Sequence, residues 1–557
     1  MPRSCLLAVV GLLFLTALGS AADPLVDLGK VTEKHVMIPM RDGTKLSCYL
    51  YFPEGKGPWP VILEQRYADL RGAATRKSFA ELAAGGYVFA ALNFRGTHLS
   101  EGNWVGYRAL GWGEQKDGYD TVEWLAKQEW CTGKVGTFGS SQAGFAQNFL
   151  AVTQPPHLVC QYMIDTGLSL FHEGYRIGGT VRPERFKTMD AICRNPEDNR
   201  KLMKEWFAHP TYDDYWAAED CTRHIDKMNV PCFTVGSWYD FMCVGSIDSF
   251  VGRQHKGGAN SKGKQQLLIG PWLHGRFKNT NKTGEIVYPE NAKFAMEKHA
   301  IRWFDHYLKG IDNGVEREAT VRYFVMGAVG EEGAPGNVWR EAKDWPVSSI
   351  PTSYYLNSGG RLTTTSPTAY TDSTEIKADP TNPAKIPAGG FPGGKDARDF
   401  EKQENVLTFT TEVLKEPVEW SGRVQAEIWL KSSAKDTDVI VRVSDVYPDG
   451  RSILIMDYVR RARYRVGYDK EVMLEPVKAT KIAFDVGNLS QIFNKGHRIR
   501  VTVASTGAPF YETNPNTGEA LTIEPPAKMV VAVNAIQFNR VNASRILAPV
   551  RAIEMQK

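Results

Sequence analysis

Lys134-Val-Gly-Thr-Phe-Gly-Ser-Ser-Gln-Ala-Gly144 is the stretch that decides the fold. Val135 to Phe138 is short and apolar and reads as a strand. Gly139-Ser140-Ser141-Gln142-Ala143-Gly144 is a run of mostly small residues that leads into a helix from Phe145. A sharp strand-to-helix turn that exposes a serine needs small residues two positions either side of it, because larger ones would clash across the turn. Ser141 meets that condition with Gly139 and Ala143. Ser140, flanked by Phe138 and Gln142, does not. Such a turn is often only a turn, so the surrounding chain must decide whether Ser141 is a nucleophile.

Outward from this stretch, apolar runs alternate with helical ones from about residue 30 to 345. The runs are Val61 to Leu63, Tyr87 to Leu92, Val135 to Phe138, Val230 to Val235 and Leu267 to Ile269. Continuous apolar strands are what a parallel sheet covered on both faces requires. Asp117 to Lys127 and Lys293 to Leu308 read as amphipathic helices. The Val230 strand ends in Gly236-Ser237-Trp238-Tyr239-Asp240, and the next in Gly270-Pro271-Trp272-Leu273-His274. Serine, acid and histidine in that chain order, just past the carboxyl ends of parallel strands, form a candidate catalytic triad of Ser141, Asp240 and His274.

Residues 168–227 are too long for one crossover between strands and hold Phe171, Tyr175, Trp206, Tyr212, Tyr215 and Trp216 among charges, so they read as an inserted, mostly helical cap. Residues 23–167 and 228–345 form the α/β domain around it. From about 346 to 400 the chain is loop-like, as in Pro387-Ala-Gly-Gly-Phe-Pro-Gly-Gly394. Beyond, strict alternation such as Val424, Ala426, Ile428 and Leu430 against Arg423, Gln425, Glu427 and Trp429 indicates an antiparallel sandwich of jelly-roll type, making 346–557 linker and all-β domain.

The 557 residues carry 67 Lys and Arg against 63 Asp and Glu, with no basic run, which argues against nucleic acid or an anionic membrane as a partner. Arg3, the apolar Leu6 to Leu18 and Gly19-Ser20-Ala21-Ala22 describe a secretory signal peptide over 1–22, cut after Ala22 or Ala21. The apolar run is shorter than the ~20 residues a bilayer requires. A secreted or periplasmic chain without a membrane span after signal removal is therefore expected. Seven cysteines remain beyond the signal, an odd count that leaves at least one thiol free. Cys193 and Cys221, both in the cap, are candidates for a disulfide, with buried thiols as the alternative. No C-x-x-C pair occurs, and His98 has no partner at ligand spacing, so neither a metal nor a cofactor is expected.

The elbow at Gly139–Gly144, Trp238-Tyr239-Asp240 and Gly270-Pro271-Trp272-x-His274 together resemble the cocaine-esterase-like hydrolases, a superfamily that includes X-Pro dipeptidyl-peptidases and α-amino-acid ester hydrolases. Arg66-Tyr67, Asn93-Phe-Arg95-Gly96, Asp117-Gly118-Tyr119-Asp120, Asp445 to Gly450 and Gly496 to Arg500 extend the resemblance over nearly the whole mature chain. It implies an α/β-hydrolase domain with a cap and a C-terminal jelly roll. It implies Ser141 as nucleophile, His274 as general base, Asp240 as its orienting group, and an oxyanion hole from the Gln142 backbone N–H and the Tyr67 phenol. Two positions depart from the family: the residue after the serine, commonly aromatic, is Gln142, and the Asp of its D-x-R-G motif is Asn93.

Glu173 reads first as a surface residue and second as a contact for a substrate amine. Trp238 and Trp272 read first as packing and second as substrate contacts. Arg95 and Glu101 read as a structural loop. The expected activity is hydrolysis of an acyl ester or amide, of a small molecule or short peptide, through an acyl-enzyme. Removal of N-terminal Xaa-Pro dipeptides is the alternative, and a non-catalytic carbohydrate-binding protein the distant one. Oligomeric state is not legible.

Overall fold

The computed structural model describes residues 26–181, 189–275, 278–386, 393–522 and 526–553. The expected signal peptide lies outside the described residues. The first half is built on a ten-stranded sheet: β1 (Thr32–Pro39), β2 (Lys45–Phe52), β3 (Trp59–Arg66), β4 (Val88–Asn93), β5 (Cys131–Ser140), β6 (Leu158–Ile164), β7 (Cys232–Tyr239), β8 (Gln265–Leu273), β9 (Val321–Val325) and β10 (Val338–Ala342). Their spatial order is β1-β2-β4-β3-β5-β6-β7-β8-β9-β10. Pairing is parallel from β4 through β9 and antiparallel at both margins.

Every residue of β4 and β7 is buried, which accounts for their continuous apolar sequences. Successive residues serve opposite faces. Phe89 and Ala91 pack with α1 (Ala73–Ala83), while Val88, Ala90 and Leu92 pack with Val122 and Leu125 of α2 (Asp117–Ala126) and Leu150 of α3 (Gln142–Val152). The helix begins at Gln142 rather than Phe145, because the turn is tighter than residue types alone indicate.

Over this sheet lie α4 (Pro196–Ala208), short helical turns at Asp214–Ala217 and Cys221–Lys227, and a π-helical turn at Leu170–Tyr175. Their aromatic residues Phe171, Tyr175, Trp206 and Trp216 form one cluster with Phe145 and Phe149 of α3. All seven described cysteines, Cys193 and Cys221 among them, are free thiols, so the candidate disulfide is not formed and the buried-thiol alternative holds.

The second half is all-β. Its eleven strands centre on Val418–Ser432, which pairs along its length with Thr480–Phe493 and on its other side with Arg545–Arg551 and Ala532–Gln537. Its apolar core runs without a break into that of the first half, joining Trp238, Tyr239 and Phe324 to Trp420 and Val424. Among the described residues no helix is long and apolar enough to cross a membrane.

Gly136 shows how closely the two layers meet. A Cβ there would lie 2.9 Å from the Phe304 ring of α6 (Met296–Lys309), with Leu308 also in contact. Gly136→Val is expected to destabilise the fold by roughly 1–3 kcal/mol through overpacking. Gly113→Ala, where the nearest atom is 3.6 Å away, should have much less effect. Thermal unfolding of both variants checks this, and equal midpoints would contradict the packing.

Candidate active site

Five adjacent parallel strands, β3, β5, β6, β7 and β8, are followed immediately by Tyr67, Ser141, Asp165, Asp240 and His274. The carboxyl edge of an open α/β sheet is where such folds gather chemistry. Ser141 stands at the elbow with φ 57° and ψ −115°, a conformation unusual for a residue with a side chain. The steric reading of the turn is met directly: a Cβ on Gly139 would fall 2.5 Å from that of Ala143. Behind the turn, a Cβ on Gly144 would meet Thr166 at 2.9 Å.

His274 Nδ1 is 2.8 Å from Asp240 Oδ1, with the Asp240 side chain fully buried and that of His274 about a quarter exposed. Ser141 Oγ makes no hydrogen bond among the described residues; its backbone N–H bonds Ile164 O. Gln142 is the first residue of α3, where a backbone N–H has no intrahelical acceptor, and it finds none elsewhere among the described residues. The Gln142 side chain turns toward Tyr67: Oε1 accepts from the backbone N–H of Tyr67 at 2.8 Å and of Ala68 at 3.0 Å. The Tyr67 ring is set edge-on among Phe94, Trp104 and Tyr107, and its hydroxyl bonds no described residue.

Comparison with known proteins gives this edge its family. Residues 42–199 and 187–276 match the model of the X-Pro dipeptidyl-peptidase (S15) family, and 313–547 match that of the X-Pro dipeptidyl-peptidase C-terminal non-catalytic domain. The cocaine esterase of Rhodococcus sp. (strain MB1 Bresler) is 28% identical over 94% of this chain and 100% of its own. The chain belongs to the CocE/NonD and X-Pro dipeptidyl-peptidase superfamily. It is a serine hydrolase. In fold it is similar to an aminopeptidase from a marine sediment archaeon, Thaumarchaeota archaeon (TM-score 0.82, 23% identity, 96% of this chain and 100% of that one). It is likewise similar to an α-amino acid ester hydrolase (TM-score 0.81, 22% identity, 97% and 100%).

Two residues of the hydrolase that sequence reasoning missed hold the histidine. Asp165 Oδ2 accepts from Gly275 N at 2.8 Å and from Lys278 Nζ at 2.6 Å. Lys278 Nζ in turn donates to Leu273 O at 2.9 Å, and both side chains are buried. One ion pair therefore grips the peptide groups on either side of His274. The only signal in the sequence was a charged residue at the end of an apolar strand. Asp165, Asp240 and His274 have the donor types of a metal site, but Lys278 already occupies one Asp165 oxygen.

A cavity of about 270 Å³ opens beside Asp240 between the cap, the sheet domain and the β domain, lined among others by Glu173, Trp238, Phe241, Tyr458 and Arg460. Glu173 is thus a wall residue and not a surface one. Its Oε2 accepts from the N–H groups of Leu168 and Ser169, and burial pushes its carboxyl up to about 8. Trp238 touches the cavity but is largely packing, its indole N–H bonded to Phe324 O. Trp272 follows its first reading, packing, and its second, as a substrate contact, is corrected for this cavity: it is buried against Phe294 and Trp339, donates to Ala292 O and does not line the cavity. Arg95 is structural as expected, bonded to Asp117 and Asp42.

Burial lowers the His274 pKa, but the charge and hydrogen bond of Asp240 outweigh it and the net shift is upward. NMR titration should therefore find His274 changing charge above the unperturbed ~6.5. Asp240→Asn should move the midpoint down. A wild-type midpoint at or below ~6.5 would contradict this geometry.

Proposed function

We propose that the hydrolase cleaves an acyl ester or amide by two-step transfer through Ser141. Ser141 Oγ attacks the carbonyl carbon and passes its proton to His274 Nε2, which returns it to the departing alcohol or amine. Water, deprotonated by the same nitrogen, then attacks the acyl-enzyme and releases the acid. The observation that carries the reading is the 2.8 Å His274–Asp240 bond on the sheet edge that bears the strained Ser141. Asp240 fixes the tautomer that leaves Nε2 facing the nucleophile. The Ser–His contact forms with substrate, since catalytic hydrogen bonds are often long in free enzymes.

The oxyanion is received by the Gln142 N–H and the Tyr67 phenol. Main-chain donors at Tyr67 and Ala68 are already taken by Gln142 Oε1, which supports the phenol as second donor over a backbone group of that loop. Negative charge on the oxygen exists only in the tetrahedral species, so these donors lower the barrier rather than tighten substrate binding.

For substrate class, an ester or amide of a small acyl group is the first reading, on the similarity to cocaine esterase. Removal of Xaa-Pro dipeptides is the second, on the S15 family match and on Glu173 in the cavity wall, where a bound ammonium would draw off the carboxyl proton. We read the β domain as a jelly roll, the segment over the sheet edge, 168–227, as the cap, and the protein as secreted or periplasmic. The export reading rests on the composition of residues 1–22.

A fluorophosphonate probe should label the wild type and not Ser141→Ala. On a panel of aryl esters, Xaa-Pro anilides and amino-acid esters, Ser141→Ala should lose roughly 10⁴–10⁶ in kcat and Ser140→Ala little. An unlabelled, inactive wild type would favour a non-catalytic binder, and turnover of Xaa-Pro anilides alone would favour the peptidase. The exported protein should begin at Asp23 or Ala22 by mass spectrometry; Met1 found on it would defeat the signal-peptide reading.

A further inference from the structure

We infer that the Gln142 side chain is a positioning residue for Tyr67, so that one residue sets both oxyanion donors. This rests on the acyl-transfer reading above. The segment from Tyr67 to Gly72 lies between the end of β3 and the start of α1, outside the ladders and helices that would fix its main chain. Side chains do this instead. Gln142 Oε1 takes the N–H groups of Tyr67 and Ala68, at 2.8 and 3.0 Å. Asn93 Nδ2 gives to the carbonyls of Arg66 and Ala68, at 3.2 and 2.9 Å. His98 Nε2 donates to the carbonyl of Tyr67 at 2.9 Å. Two N–H donors converge on one atom of the Gln142 amide, which identifies that atom as the oxygen.

The peptide groups of Tyr67 and Ala68 are all engaged, while the Tyr67 phenol bonds no described residue. Gln142 is anchored at the N-terminus of α3, directly after Ser141, and its backbone N–H bonds no described residue. Through its main chain and its side chain it therefore fixes the distance between the two donors. Asn93 and His98 hold the loop from the other side, but neither adjoins the nucleophile. Among the described residues, Gln142 alone both hydrogen-bonds this loop and lies in the elbow.

The test is a double-mutant cycle on the full-length protein, using a chromogenic ester turned over by the wild type. Gln142→Met keeps the backbone N–H and approximate volume but removes the acceptor. Tyr67→Phe alone should lower kcat by roughly 10²–10³, as loss of one oxyanion donor does. Gln142→Met alone should lower kcat by about 10²-fold, as ångström-scale misplacement does, with KM nearly unchanged. In the Tyr67→Phe background Gln142→Met should cost less than about threefold, because the group it positions is gone. Additive effects, unchanged kcat in Gln142→Met, an effect on KM alone, or a Tyr67→Phe enzyme of normal kcat would each overturn the inference. Should Gln142→Met not fold by circular dichroism, Gln142→Ala in the same cycle is judged by the same criteria. A wild type labelled at Ser141 but with an additive cycle refutes only the role of Gln142. A wild type that neither reacts with the probe nor hydrolyses ester refutes the acyl-transfer reading and this inference with it.

Discussion

The turn at Ser141 is a steric constraint from which the rest of the site is arranged. Holding a residue with a side chain at φ 57° and ψ −115° costs of order 1–3 kcal/mol, and such a conformation persists only where its surroundings over-determine it. Here they do. The Ser141 N–H is bonded to Ile164 O, Gly139 and Ala143 meet with no room for larger groups, and Gly144 is backed by Thr166. Gln147 Nε2, one turn into α3, reaches the carbonyls of Gly139, Ala143 and Tyr162, tying the turn to two strands. Because the turn ends in a helix, Gln142 presents at the helix start an N–H that bonds no described residue, and its side chain falls within reach of the Tyr67 loop.

The histidine is held by a different device. The Asp165–Lys278 pair is buried, and a buried ion pair is weak evidence for stability, because desolvation opposes the attraction. Its geometry is what matters. Asp165 binds the N–H after His274 and Lys278 the carbonyl before it, so the imidazole pivots on a backbone fixed at both ends. Ser237 completes the arrangement, donating to Asp165 Oδ1 while accepting from Lys278. Asp240 acts on the ring and Asp165 on the main chain, and the two carboxylates share the task of orientation.

The parts of the site legible in the sequence are those governed by local sterics and strand ends. Ser141 could be separated from Ser140 because the clash it avoids involves residues two positions away. The strand-end positions of Asp240 and His274 could be read because apolar runs mark where parallel strands stop. The Asp165–Lys278 pair joins residues far apart in the chain, and nothing local distinguishes Lys278 from a solvated lysine. For Trp272 two readings stayed open because a tryptophan at a strand end has the same sequence signature whether it faces the site or the core; the first, packing, is what the structure shows. Gln142 was read only as a departure from the family's aromatic residue; its side chain's contacts depend on a loop that folding brings alongside. The first sheet and the later strands of the second half were legible from continuous burial and periods of two, but Ile350–Asn357 and Ser373–Ala378, inside the stretch read as loop-like, are strands of the second sheet.

The β domain walls the cavity beside Asp240. Arg423, at the centre of its longest strand, bonds Asp248 of α5 (Cys243–Lys256), the helix that begins just after Asp240, and also Asp485 within the β domain. Two carboxylates, one from each domain, share one guanidinium. Replacing either carboxylate leaves the other paired, whereas removing Arg423 sets two negative charges facing each other across the boundary. The same boundary supplies Tyr458, Arg460 and Tyr468 to the cavity opposite Glu173 and Phe241 of the other half. A substrate group in that cavity touches both halves at once. The shape of the cavity therefore depends on how the domains pack, through their shared apolar core and the Arg423 ion pairs at its side.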